Sequence, residues 1–105
     1  MEYCIINCTA KDKEEALKIS RILVQKKLIA CSNIIPSLTS VYIWNGQVNE
    51  ENEVLMIMKT KTELFDKVKE EILKLHSYDV PEIIAVPIIK GSEEYLGWIN
   101  ENTAG

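Results

Sequence analysis

Long apolar runs are missing from this sequence. The longest, residues 83–89 (IIAVPII), has seven residues and is broken by a proline, whereas about 20 are needed to cross a bilayer. No membrane segment is expected. The opening MEYCIINCTA lacks the basic start and extended apolar middle of a signal peptide. A soluble, cytoplasmic protein is therefore expected.

Glycine and proline are also scarce, four and three in 105 residues, too few for a disordered or low-complexity chain. A basic block is absent. Twelve Lys and Arg stand against sixteen Asp and Glu, for a net charge of −4. The lysines are interleaved with glutamates, as in KDKEEALK and DKVKEEILK, the pattern of solvated helix faces. Nucleic-acid binding needs clustered positive charge to displace counterions, so no nucleic-acid partner is expected.

Cysteines number three and show no C-x-x-C spacing, which argues against a disulfide framework. Cys4 and Cys8 sit four residues apart in one predicted strand, roughly 13 Å between Cα atoms. That exceeds the roughly 7 Å limit for a disulfide. The usual catalytic signatures, G-x-G-x-x-G, G-x-S-x-G and H-E-x-x-H, are absent. The expectation is a protein that is not an enzyme.

What is present suits one domain over residues 1–105, with 47% apolar and 27% charged residues in an ordinary globular balance. Residues 3–8 (YCIINC) read as a buried strand. Residues 9–28 carry Ala16, Ile19, Ile22 and Leu23 at helical spacing, with Thr9 or Asp12 as candidate N-caps. Residues 40–44 (SVYIW) and 53–59 (EVLMIMK) are strand-like and joined through Asn45-Gly46, the pair that suits a type I′ turn. Pro36 and Pro87 mark edges or bulges. Residues 60–76 form a second helix with Thr60 and Glu63 as a capping box, and His76 falls in its last turn. Residues 82–89 give a fourth strand and 92–102 a short helix. This order is a split βαβ, ferredoxin-like α+β arrangement, βαββαβ plus a short C-terminal helix. Right-handed crossovers place both main helices on one sheet face. The uncovered face and long hairpin predict an oligomer.

Chemistry has few candidates. His76 serves either to complement a helix C-terminus or to ligate copper or zinc. Cys8 is either a small buried hydrophobe or a soft thiolate ligand at a strand end. The same alternatives apply to Cys31. Trp44 and Tyr78 suit a core or interface. Glu53, if buried, needs a partner, and Glu82 follows Pro81 either solvated or in a site. Lys59 completes the polar group on the hairpin.

Two blocks of sequence carry a resemblance. The first is Ala30-Cys31, Asn33-Ile34, Ser40-x-Tyr42-x-Trp44-x-Gly46, Glu53 and Lys59-Thr60. The second is His76-x-Tyr78-x-x-Pro81-Glu82, Pro87, Gly91 and Tyr95-Leu96-x-Trp98, with Cys8-Thr9-Ala10 at the first strand end. In this order and spacing the chain resembles the CutA proteins, the divalent-cation tolerance family, over nearly its whole length. The resemblance implies a ferredoxin-like homotrimer with interlocked hairpins, a role in divalent metal-ion tolerance, and copper as a bound metal not required for folding. It implies Cys8 and His76 as the metal ligands. In copper-binding relatives two adjacent histidines precede the tyrosine motif. Here the first position is Leu75, and Ser77 replaces the usual proline. Two further functions fit the sequence. One is a signalling module that binds a small molecule between subunits, around Trp44, Glu53, Lys59 and Tyr78. The other is a structural trimer serving as a platform for partners.

Overall fold

The structure, a computed structural model, describes residues 1–104. Strand β1 (Tyr3–Ala10) leads to helix α1 (Lys13–Gln25), then β2 (Cys31–Trp44) and β3 (Gln47–Lys61). A 3₁₀ turn (Thr62–Leu64) opens helix α2 (Phe65–Leu75), followed by β4 (Ile84–Ile88) and α3 (Glu93–Glu101). The four strands form one antiparallel sheet in the order β2-β3-β1-β4, the ferredoxin-like order read from the sequence.

Alternation builds the core. Cys4, Ile6, Cys8 and Ala10 of β1 stand opposite Thr60, Met58, Met56 and Val54 of β3, all buried on one sheet face. Ala16, Ile19 and Leu23 of α1 and Val68 and Ile72 of α2 cover that face. Each of the Ile, Leu and Val side chains contributes about 1.5–3 kcal/mol by leaving water. Asp12 caps α1 by accepting from the Glu15 N–H at 2.8 Å, and Lys26 ties α1 to α2 through Glu71 at 2.6 Å.

The hairpin follows its local signals. Asn45 and Gly46 both take positive φ, 52° and 75°, as a type I′ turn requires. Pro36 sits in the register shift between Ile35 and Leu38, and Pro87 lies on edge strand β4. β1 reaches only Val54. Residues 47–53 of β3 therefore pair on one side alone, with β2, and project as a two-stranded ribbon. A bare ribbon of this kind is marginal in water.

Two expectations are corrected. Thr60 and Glu63 do not form a capping box. β3 continues to Lys61 because it still pairs with Tyr3, and the Thr60 hydroxyl donates to the Leu28 carbonyl at 2.6 Å. Nor does His76 lie in the last helical turn. It is the C-cap of α2, with extended backbone, and its side chain leaves the helix altogether.

The face opposite α1 and α2 is not wholly open. By strand alternation, Cys31, Lys59 and Lys61 point to that face, and α3 reaches Cys31 and Lys61 there. Tyr95 Oη lies 3.6 Å from Cys31 Sγ. The Lys61 ammonium, with its residue 2% exposed, donates to Asn100 Oδ1 at 3.3 Å and to the Thr103 carbonyl at 3.4 Å. A cation at the carbonyl end of α3 complements its dipole. Ile35, Ile84 and Val86 remain exposed.

Candidate functional site

One junction joins three distant parts of the chain: the end of β1, the hairpin and the segment after α2. The extended backbone of His76 turns its ring away from the α2 axis and onto β1. There Nε2 lies 2.7 Å from the Thr9 carbonyl oxygen. The Tyr78 N–H donates to Nδ1 at 3.0 Å. An amide can only donate and a carbonyl can only accept. The ring therefore carries its proton on Nε2 and none on Nδ1. Its centroid is 4.7 Å from that of Tyr78.

Tyr78 then crosses to the hairpin. Its hydroxyl donates to Glu53 Oε2 at 2.8 Å. Burial and the Glu53 carboxylate hold the Tyr78 phenol well above its ordinary range. Glu15 anchors the other side of the turn, accepting from the Ser77 N–H at 2.9 Å and the Lys11 N–H at 3.3 Å. Burial alone would raise its carboxyl. The Ser77 and Lys11 hydrogen bonds outweigh that and hold it below the ordinary carboxylate range.

Cys8 lies beneath this junction. Its Sγ is 3.6 Å from the Thr9 carbonyl, the oxygen that His76 also contacts. The fold thus brings Cys8 and His76 together from 68 positions apart. As arranged, neither is ready to bind a metal. Cys8 is fully buried, and burial, followed by Glu82, Glu15 and Glu53, pushes its thiol up to about 12. Both His76 nitrogens are engaged. No three His, Cys, Asp or Glu among the described residues stand together as a metal site. Copper and zinc usually take three or four ligands, so this pair as folded does not fit the ion.

Between the hairpin and residues 77–82 runs an open groove of about 850 Å³. Trp44, Glu53, Tyr78 and Glu82, all singled out in the sequence, line it. Cys31 and Lys59 do not. They are cross-strand partners at the other end of β2, Cys31 against Tyr95 and Lys59 bonded to Asn33. Sequence reasoning did not place Thr9, Ser40, Glu51 and Ser77 in the lining, nor Glu15 as the anchor behind it. In the sequence Glu15 is indistinguishable from any solvated carboxylate in a first helical turn. Only Cys8-Thr9-Ala10, as a block, hinted at Thr9.

Comparison with known proteins follows the same outline. A family model described as CutA1 divalent ion tolerance protein matches residues 4–102. The "Divalent-cation tolerance protein CutA" of Thermus thermophilus is 48% identical over 99 residues, covering 94% of this chain and 96% of that protein. "Protein CutA, chloroplastic" of Arabidopsis thaliana is 41% identical over 99 residues, 94% of this chain and 54% of that longer protein. The solved structure of the divalent cation tolerance protein from Thermus thermophilus superposes with a TM-score of 0.95 at 46% identity, covering 97% and 99% of the two chains.

Proposed function

The chain belongs to the CutA1 divalent ion tolerance family, and from that premise we propose that it acts in the cell's response to divalent ions as a binding protein, not a catalyst. Its ligand site on this reading is the groove between the hairpin and residues 77–82. The observation that carries the reading is the Tyr78–Glu53 hydrogen bond, which fixes both walls of a groove of about 850 Å³. That volume lies within the roughly 300–1,000 Å³ of small-molecule sites. A thermal-shift screen of divalent salts and small metabolites on the full chain and on Trp44→Leu tests it. Stabilisation of the full chain that the variant loses supports the groove. Hits of equal size in both would reject it.

The working unit on this reading is a homotrimer. Support comes from the projecting ribbon, with Val41, Ile43 and Val48 exposed at its tip, and from exposed Ile84 and Val86 on the sheet face. Apolar surface so distributed fits burial against further copies of the chain. Sedimentation equilibrium at micromolar concentration should give three chains, and a monomer would reject the assembly. The three free thiols suit a reducing compartment such as the cytoplasm.

A narrower reading assigns copper to Cys8 and His76. Their convergence on the Thr9 carbonyl favours it, and it requires that both His76 hydrogen bonds open and the Cys8 thiol ionise. Calorimetric titration with copper, with zinc as control, decides. One site per chain, lost in Cys8→Ser with His76→Ala, supports the assignment. No saturable heat, or heat unchanged in that folded double variant, removes it.

A further inference from the structure

We infer that Tyr78 is a positioning residue for assembly: through its bond to Glu53 it sets the angle at which the ribbon leaves the sheet, and so how firmly copies of this chain hold one another. This rests on the homo-oligomer proposed above and names a contact that governs it.

The ribbon bends where its support ends. β1 stops at the Ala10–Val54 pair. Opposite Val54, β2 carries two residues, Pro36 and Ser37, between the Ile35–Leu55 and Leu38–Glu53 pairs. Two residues against one make a β-bulge, which disrupts the ladder locally and bends the strand. Pro36 removes a backbone donor at the same place. Residues 38–53 therefore leave the sheet through a weakened joint, with no third strand beside them.

One side-chain bond spans that joint. Tyr78 reaches Glu53, the first paired residue of β3 beyond the bulge. Among the described residues this is the only side-chain hydrogen bond from the ribbon to the rest of the chain. The others, Thr39 to Asn52 and Asn49 to the Trp44 and Gln47 carbonyls, stay inside it. The open groove between the ribbon and residues 77–82 leaves that flank without packing. Tyr78 is itself held to the body. Its N–H donates to His76, whose ring bonds the Thr9 carbonyl on β1. The brace thus runs from β1 through His76 and Tyr78 to the base of the ribbon.

Leverage makes a small change at the base large at the tip. From Glu53 to Asn45 the ribbon runs about 25 Å at about 3.3 Å per residue, so a swing of about 10° at the joint carries the tip about 4 Å. That is a whole contact distance between apolar atoms. Val41, Ile43 and Val48, exposed near the tip, are the surface offered to further copies, and they meet a partner only if the angle is held. A hydroxyl donating to a carboxylate suits the task, because a bond to an ionised group is among the stronger side-chain hydrogen bonds.

The test is subunit exchange, read by native mass spectrometry after nitrogen-15-labelled and unlabelled full chains are mixed. Tyr78→Phe removes the bond and keeps the ring. Glu53→Gln keeps an acceptor and removes the charge. Thr60→Val is the control: it removes the buried hydrogen bond to Leu28, lowers stability and lies outside the joint. The expected result is exchange about tenfold faster in Tyr78→Phe, a smaller acceleration in Glu53→Gln, and the parent's rate in Thr60→Val. Equal half-times in the parent and Tyr78→Phe, including no exchange in either, overturn the inference and leave the oligomer standing. Equal acceleration by Thr60→Val overturns it too, since stability alone would then be the cause. If Tyr78→Phe does not fold, Glu53→Gln against Thr60→Val decides in the same way. A parent that runs as a monomer removes the oligomer and the inference together.

Discussion

The Tyr78 hydroxyl and the Glu53 carboxylate, 25 positions apart, meet at 2.8 Å and join the turn after α2 to the base of the projecting hairpin. A hydrogen bond to a buried charged group contributes about 1.5–3 kcal/mol. Tyr78→Phe should destabilise the protein by about 1–2 kcal/mol in urea unfolding, since Tyr78 is only half-buried. Combined with Glu53→Gln, the two losses should be less than additive, as expected for residues in contact. Strict additivity would mean that the bond contributes nothing.

His76 is held in one tautomer by geometry, with Nε2–H toward Thr9 and Nδ1 toward the Tyr78 amide. Nitrogen-15 NMR of the ring should show Nε2 as the protonated position at neutral pH. His76→Ala removes both bonds and should cost about 1–3 kcal/mol, with Ser77 and Tyr78 amides losing protection from hydrogen exchange. An Nδ1-protonated ring would contradict the arrangement.

Thiol reactivity should separate the three cysteines. Cys4 and Cys8 are buried and Cys31 is half-buried. A disulfide reagent at pH 8 should modify Cys31 first in the folded protein and all three after unfolding. Cys8 also gives an alkaline signature. Its thiol is raised from 9.0 to about 12 on folding. The protonated form is thus favoured by folding, and its full contribution is present below about pH 9. As pH rises toward about 12 the unfolded chain ionises first and stability falls. Cys8→Ala should flatten that part of the profile.

Glu15 gives the opposite sign. Its carboxyl is held below the ordinary range in the folded protein, so its contribution is present above that range and lost as pH falls through the folded value. Solvent screens the site, and Glu15→Gln should cost no more than about 1 kcal/mol at neutral pH. The difference between variant and parent should shrink as the pH drops below about 4. A constant difference down to the acid transition would show that charge is not what Glu15 supplies.

Local chemistry made much of the fold legible. Asp12 caps a helix by its own side chain, Asn45-Gly46 needs only two backbone angles, and Pro36 lacks a donor wherever it stands. Each rule operates over a few residues, and each held. The capping box failed because a distant strand decided it: Tyr3 draws Lys61 into the sheet, and Leu28 claims the Thr60 hydroxyl. Lys61 itself reads as a surface lysine until α3 brings Asn100 and Thr103 over it. Of the groove residues, Trp44, Glu53 and Tyr78 were grouped from the sequence, together with Lys59, which the fold places at the other end of β2. Glu15 and Glu51 were not, because acidic residues on helices and strand tips are ordinary. Cys8 and His76, paired as ligands only through the family resemblance, do converge on the Thr9 carbonyl. What no sequence pattern states is that both turn to the same backbone oxygen.

The most direct measurement uses the two tryptophans, one in the groove and one stacked on Tyr95. The indole N–H peaks of Trp44 and Trp98 would be followed by NMR while divalent salts and small metabolites are added in turn. If the groove is the ligand site, a compound that binds moves the Trp44 peak saturably and leaves the Trp98 peak in place. A Trp44 peak that never moves, or a Trp98 peak that moves instead, would contradict it.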